Sequence, residues 1–157
     1  MLATVRVPLP RTAALSVAVL VLPLVFALAP PLVPRADALT ARQGDHIVAI
    51  AASKRGAPYR WGADGPRYFD CSGFTKWVFA RIGRSLPHSA ARQAARVRHV
   101  RASHRRRGDL VFFRSGGHVY HVAIYAGRNT VWHEPRPGGR VHRERIWTSS
   151  VSYGRVG

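Results

Sequence analysis

Residues 71–82 constrain this chain more than any other stretch. Phe74, Trp77, Val78 and Ile82 recur at i, i+3, i+4 and i+8, one apolar stripe of a helix that has to pack against something. Gly83 follows where a helix C-terminus favours a residue that takes positive φ. Asp70 is a good N-cap, so Cys71, the only cysteine in 157 residues, is placed in the first helical turn. Unpaired backbone N–H groups and the helix dipole favour a negative sulfur there, and the thiol pKa is expected to fall toward neutrality. A cysteine without further context is a small buried hydrophobe. A nucleophile needs a base from elsewhere in the chain.

Residues 1–38 read as an export signal, with an N-terminal anchor as the alternative. Arg6 and Arg11 precede an almost wholly apolar run from Thr12 to Leu28, and Ala36-Asp37-Ala38 offers a small-x-small cleavage site before Leu39. The protein is therefore expected to be secreted or held at the cell envelope. Residues 39–157 fit one small domain. With one cysteine they have no internal disulfide framework, although the destination is oxidising.

Charge narrows the partners. Lys and Arg number 25 against 7 Asp and Glu, a net charge of +18. Setting aside Arg6, Arg11, Arg35 and Asp37 leaves +16 on residues 39–157. Such a field attracts nucleic acid, anionic lipid or anionic wall polymer. The export signal argues against nucleic acid, and the chain has no zinc finger, RNP-like motif or helix-turn-helix pattern.

A first helix is expected over Asp45 to Arg55, stopping at Gly56, and a short one from Ser89 through Gln93 to Val97. Residues 98–107 are basic and aperiodic, so Arg105-Arg106-Arg107 reads as an exposed loop. Strands are expected at Leu110–Phe113, His118–Tyr125, Val131–His133 and Val141–Trp147, with turns at Gly116-Gly117 and near Gly127. Helices first and strands afterwards give an α+β domain, N-terminal helices packed on a largely antiparallel C-terminal sheet.

Of eight histidines, His46, His99, His104 and His142 lie beside arginines or at an element edge, and a surface role is expected for each. His121 and His133 sit in apolar strands that would pair antiparallel, close enough to complete a Cys–His–His set if register puts them on one face. No cysteine–histidine cluster has zinc-site spacing, so neither a metal nor another cofactor is expected.

An ordered set of motifs carries a resemblance. Pro58-Tyr59-Arg60-Trp61-Gly62, Asp70-Cys71-Ser72-Gly73, Leu86-Pro87, Ser89 with Gln93, Gly108-Asp109-Leu110-Val111-Phe112-Phe113, His121-Val122-Ala123-Ile124-Tyr125 and Trp132-His133 together resemble the NlpC-type cell-wall endopeptidases. These are papain-like cysteine peptidases of bacterial peptidoglycan. The resemblance spans roughly residues 45–147 and implies a papain-like fold. It also implies roles: Cys71 as nucleophile, His121 as base, His133 as the orienting polar residue and Tyr59 as an aromatic whose hydroxyl stabilises the transition state. Asp70 and Ser72 would help receive the substrate amine, and Trp61 would pack the wall of the substrate site. The implied reaction cleaves stem peptides at the γ-D-glutamyl–diamino acid bond through a thioester, in a monomer that meets anionic wall polymers through its basic surface. An N-acetylmuramoyl-L-alanine amidase on the same scaffold and a non-catalytic basic wall-binding module are the alternatives. Two positions depart from the pattern: Ala63 replaces a glycine common after Trp-Gly, and His88 stands where arginine is frequent.

Overall fold

A computed structural model describes residues 40–157 of the chain. The expected export segment and its cleavage site lie outside the described residues. Three helices, α1 (Ala41–Ala52), α2 (Cys71–Ala80) and α3 (Ala90–Arg96), come first. Six strands follow: β1 (Arg98–Val100), β2 (Leu110–Ser115), β3 (His118–Gly127), β4 (Thr130–His133), β5 (His142–Arg145) and β6 (Val151–Arg155). They form one sheet in the order β1-β6-β2-β3-β4-β5, and every neighbouring pair is antiparallel. The α+β expectation holds.

Several boundaries move for local reasons. The first helix starts at Ala41 rather than Asp45, because Thr40 and Gln43 form a reciprocal capping box one turn earlier. Gly44 within it lies against the Arg107 backbone, where a Cβ would come within 2.1 Å of the carbonyl oxygen. The Cys71 helix ends at Ala80, and the chain turns through Arg81 to Gly83, whose φ is +73. The aperiodic stretch 98–107 holds two short elements before the loop at Arg105–Arg107: Arg98–Val100 pairs with β6, and Ala102–His104 forms a 3-10 turn. The β6 strand itself, at the sheet's interior between β1 and β2, was not expected at all.

Both sheet faces are buried. Leu110 and Phe112 alternate with Val111 and Phe113 along β2, and all four are fully inaccessible. Leu110, Phe112, Val122, Ile124 and Trp132 join Ile47, Phe74, Val78 and Phe79 of the helices in the main core. Val111, Phe113, Ala123, Tyr125, Val131 and Tyr153 form a second cluster, against which Ile146 and Val151 pack. The stripe on α2 thus meets the centre of the sheet, and each fully buried large side chain contributes about 1.5–3 kcal/mol. At the start of β2, buried Asp109 receives two hydrogen bonds from the guanidinium of Arg155 at 2.7 and 2.8 Å, tying β6 to β2.

Candidate active site

Asp70 builds the turn that presents Cys71. Its Oδ1 accepts from the Gly73 N–H at 2.7 Å and from the Ser72 hydroxyl at 3.0 Å, capping α2. Its Oδ2 accepts from the Gly62 N–H at 2.9 Å and meets His88 Nε2 at 2.8 Å. A carboxylate offers about four lone-pair sites, and Asp70 uses them all on the protein. Gly73 has a second constraint: a Cβ there would lie 2.1 Å from the Ala63 carbonyl oxygen, so only glycine lets the Trp61–Asp64 loop cross the first turn. From the other side, Gln93 Nε2 donates to the Ser72 carbonyl at 2.9 Å and to the Pro87 carbonyl at 2.8 Å, while its Oε1 accepts from Thr75 at 2.7 Å. Cys71 therefore sits in a rigid frame.

The expectation of a lowered thiol pKa is not met. Burial pushes the Cys71 thiol up, and the Asp70 charge adds to it. The backbone N–H groups of Val122, Ser72 and Cys71 itself act in the opposite direction, as the helix-terminus argument requires, but desolvation outweighs them. The resting sulfur is a thiol, held against the β3 backbone one residue beyond His121.

The two strand histidines do share a face. Trp132 pairs with Ile124 and Val131 with Tyr125, which puts His133 diagonally across from His121 on the same side of the sheet. His121 Nε2 and His133 Nδ1 are 3.0 Å apart, and both residues are buried. Phe113, opposite His121 in register, and Trp147, stacked on Phe113 at 4.0 Å between centroids, flank the imidazole pair. A bulge in β3 at Tyr120 bends the strand beside His121. Burial and mutual repulsion lower the His121 pKa to about 3, and the pair is neutral at rest.

The chain of hydrogen bonds runs one residue further than the sequence suggested. His133 Nε2 lies 3.0 Å from Glu144 Oε2, on β5. A carboxylate only accepts, so His133 donates from Nε2, its Nδ1 accepts from His121 Nε2–H, and His121 Nδ1 is left with a lone pair. That is the tautomer a general base for a thiol needs. His142, expected on the surface, approaches the same Glu144 oxygen at 3.2 Å.

A cleft of about 430 Å³ opens in front of Cys71, lined among others by Trp61, Asp70, Ser72, His88 and Tyr120. Trp61 lines this cleft at its rim and is 84% exposed. His88 takes a place in the site through its contact with Asp70. Tyr59 is held between Gly139 and Phe69, and burial with the charges of Asp70, Cys71 and Glu134 raises its pKa, so its hydroxyl keeps its proton and can donate. Glu134, next to His133, is fully buried with neither carboxylate oxygen hydrogen-bonded, and burial pushes its pKa up to about 8. His88, Glu134 and Glu144 are the residues that sequence reasoning missed. Only His88 had a signal, as a departure at a motif position.

Known proteins are similar to this chain. A probable endopeptidase of Corynebacterium glutamicum is 46% identical over 101 residues, covering 64% of this chain and 47% of its own. The probable endopeptidase p60 of Listeria monocytogenes is 39% identical over 113 residues, covering 70% and 23%. The chain spans less than half the length of these curated relatives. Among solved structures, the NlpC/p60 domain of the peptidoglycan hydrolase SagA superposes with a TM-score of 0.65 at 36% identity, covering 73% of this chain and 97% of that one. The peptidoglycan hydrolase RipB of Mycobacterium tuberculosis gives 0.65 at 27% identity, covering 74% and 67%. The sequence profile of the NlpC/P60 family matches residues 56–154, and with the helix-borne cysteine facing a histidine-bearing antiparallel sheet, the chain belongs to that family.

Proposed function

We propose that this protein is an exported cysteine endopeptidase that cleaves the stem peptides of peptidoglycan at the γ-D-glutamyl–diamino acid bond. The observation that carries the reading is the buried His121–His133 pair at 3.0 Å, on the strand whose Val122 N–H meets the Cys71 thiol. The printed names of the relatives, probable endopeptidase and peptidoglycan hydrolase, support the substrate class. The motif resemblance supports the bond.

His121 Nδ1 takes the thiol proton as sulfur attacks the amide carbonyl, and later delivers it to the leaving amine. His133, backed by Glu144, holds His121 in the required tautomer and stabilises the transient imidazolium. Tyr59 and the Cys71 backbone N–H donate to the tetrahedral oxyanion. Water then hydrolyses the thioester with His121 as base. Ser72 and Trp61 contact the substrate from the cleft wall and rim, and Asp70 shapes the floor through its four internal contacts. The monomer's basic surface holds the anionic wall polymer, and the segment 1–38 exports the chain.

The test is digestion of purified peptidoglycan followed by mass spectrometry of the muropeptides. New free amines on the diamino acid are expected, and none with folded Cys71→Ala. New amines on L-alanine would assign an amidase instead. Equal digestion by parent and Cys71→Ala would end the cysteine-peptidase reading.

A further inference from the structure

His142 poses a problem that the peptidase chemistry does not use. Its Nδ1 lies 2.7 Å from the Arg140 carbonyl oxygen, which can only accept, so the ring proton is on Nδ1. A neutral His142 then points the Nε2 lone pair at Glu144 Oε2, 3.2 Å away. Two acceptors at that distance repel unless a proton or a metal cation sits between them. The same oxygen is 3.0 Å from His133 Nε2, and the three candidate ligand atoms all lie within 4.8 Å of one another.

We propose that His133 Nε2, His142 Nε2 and Glu144 Oε2 form an inhibitory site for a divalent transition-metal ion of the zinc type. The proposal rests on the peptidase reading for its consequence, though not for the site itself. Two imidazoles and one carboxylate are a common zinc set, and bonds of about 2.0–2.2 Å in a tetrahedron put ligand atoms about 3.2–3.6 Å apart. The observed 3.0 and 3.2 Å need only a small opening. The Arg140 carbonyl orients His142, and the Nδ1 contact to His121 orients His133, as outer partners do around ligating histidines. His133 is buried, but the side chains of Glu144 and His142 are 46% and 43% exposed, so an ion enters from solvent and the fourth position stays open to water. With one carboxylate in a strongly basic chain, imidazole affinity decides selectivity: zinc and its neighbours bind, magnesium and calcium do not.

Inhibition follows from tautomers. Metal on His133 Nε2 needs the lone pair there, so the one proton of the neutral ring moves from Nε2 to Nδ1 and none is lost to solvent. That N–H donates to His121 Nε2, so a neutral His121 carries its own proton on Nδ1. The base then faces the thiol with a donor and accepts nothing. Zinc so bound stops turnover without touching Cys71.

The test titrates Zn2+ into the chelator-stripped full chain by calorimetry, with Co2+ as a spectroscopic probe. One tight Zn2+ is expected in the parent and equally in Cys71→Ala, with binding at least about tenfold weaker in His142→Ala. Bound Co2+ should show visible d–d bands without a thiolate charge-transfer band. Muropeptide cleavage by the parent should fall as this site fills and recover with chelator. His142→Ala should cleave at the metal-free parent rate and resist Zn2+ at that concentration. Unaltered Zn2+ affinity in His142→Ala overturns the site, as does binding that is lost in Cys71→Ala with a thiolate–cobalt band in the parent. A parent that binds Zn2+ as expected yet cleaves no muropeptide refutes the peptidase reading and leaves the metal site standing.

Discussion

Glu144→Gln tests whether the hydrogen-bond chain behind the base matters. The substitution keeps size and shape but replaces an obligate acceptor with an amide that can accept or donate. The carboxylate now forces His133 to donate from Nε2 and so leaves a lone pair on His121 Nδ1. With glutamine, either tautomer is satisfied, and the negative end that stabilises the imidazolium is gone. A hydrogen bond to a charged group contributes about 1.5–3 kcal/mol. Glu144 is nearly half exposed, so solvent screening reduces that to about 1–1.5 kcal/mol. At 1.36 kcal/mol per decade, the loss is about tenfold at most. It should appear in kcat rather than KM, because Glu144 is not among the residues lining the cleft. The assay is steady-state cleavage of a soluble muropeptide in chelator, with circular dichroism to confirm folding. Nitrogen-15 shifts of His133 should show a single Nε2–H tautomer in the parent and a mixture in the variant. A folded Glu144→Gln with parental kcat and an unchanged His133 tautomer would refute the relay.

Three further outcomes follow from the geometry. Because burial raises the Cys71 pKa, the folded state holds the thiol proton more tightly than the unfolded chain: the stability this contributes is present below the ordinary thiol range and is lost as pH rises toward the folded value. Iodoacetamide labelling should accordingly show a higher pH midpoint folded than in denaturant, and a lower one would contradict the burial argument. Gly73→Ala should lower thermal stability by about 1–3 kcal/mol, since the new Cβ meets the Ala63 carbonyl and has no room to shift; a melting curve superposable on the parent's would show that the loop yields. Glu134→Met should raise stability by about 1–3 kcal/mol at neutral pH, because it replaces a buried carboxyl with no hydrogen-bond partner by an apolar chain of similar length; a destabilised variant would mean that Glu134 has a partner in solution.

The helix stripe and the strand runs were legible because periodicity records which face is buried. Phe74 and Val78 are fully buried, and Leu110 to Phe113 form a continuous buried strand as their unbroken apolar run suggested. The nucleophile's placement was legible through Asp70, whose capping role is local. What escaped notice depends on long-range pairing. β6 reads Val-Ser-Tyr-Gly-Arg, with a glycine and a charge that argue against an interior strand, yet Arg155 is neutralised by Asp109, 46 residues earlier. Glu144 lies in an Arg-Val-His-Arg-Glu-Arg stretch that reads as a solvated edge. Only the β4–β5 register, His133 opposite His142 and Val131 opposite Glu144, brings its carboxylate to the buried imidazole. The thiol pKa was misjudged because a helix terminus is visible in sequence and the extent of burial around it is not.

Composition also overstated how much of the positive charge faces outward. Arg107 is bound by Asp45 and the Ala126 carbonyl, and so helps lock α1 against the β3 end. Arg105 lies over the rings of Tyr125 and Tyr153, and Arg155 is buried against Asp109. The Arg105-Arg106-Arg107 run is thus partly a structural clamp, and substitutions across all three would confuse lost attraction with lost packing. Around it, a depression of about 630 Å³ is lined by Arg98, Arg101, Arg105, Arg106 and Arg155 together with His99 and His104. Of its arginines, Arg98, Arg101 and Arg106 are exposed. Their charges are screened beyond about 10 Å at 0.1 M salt, so any anion they attract has to come to this face. None of these arginines is among the residues lining that cleft. Under the proposed function, attraction to the wall and hydrolysis fall to different residues, which is what would allow each to be altered without the other.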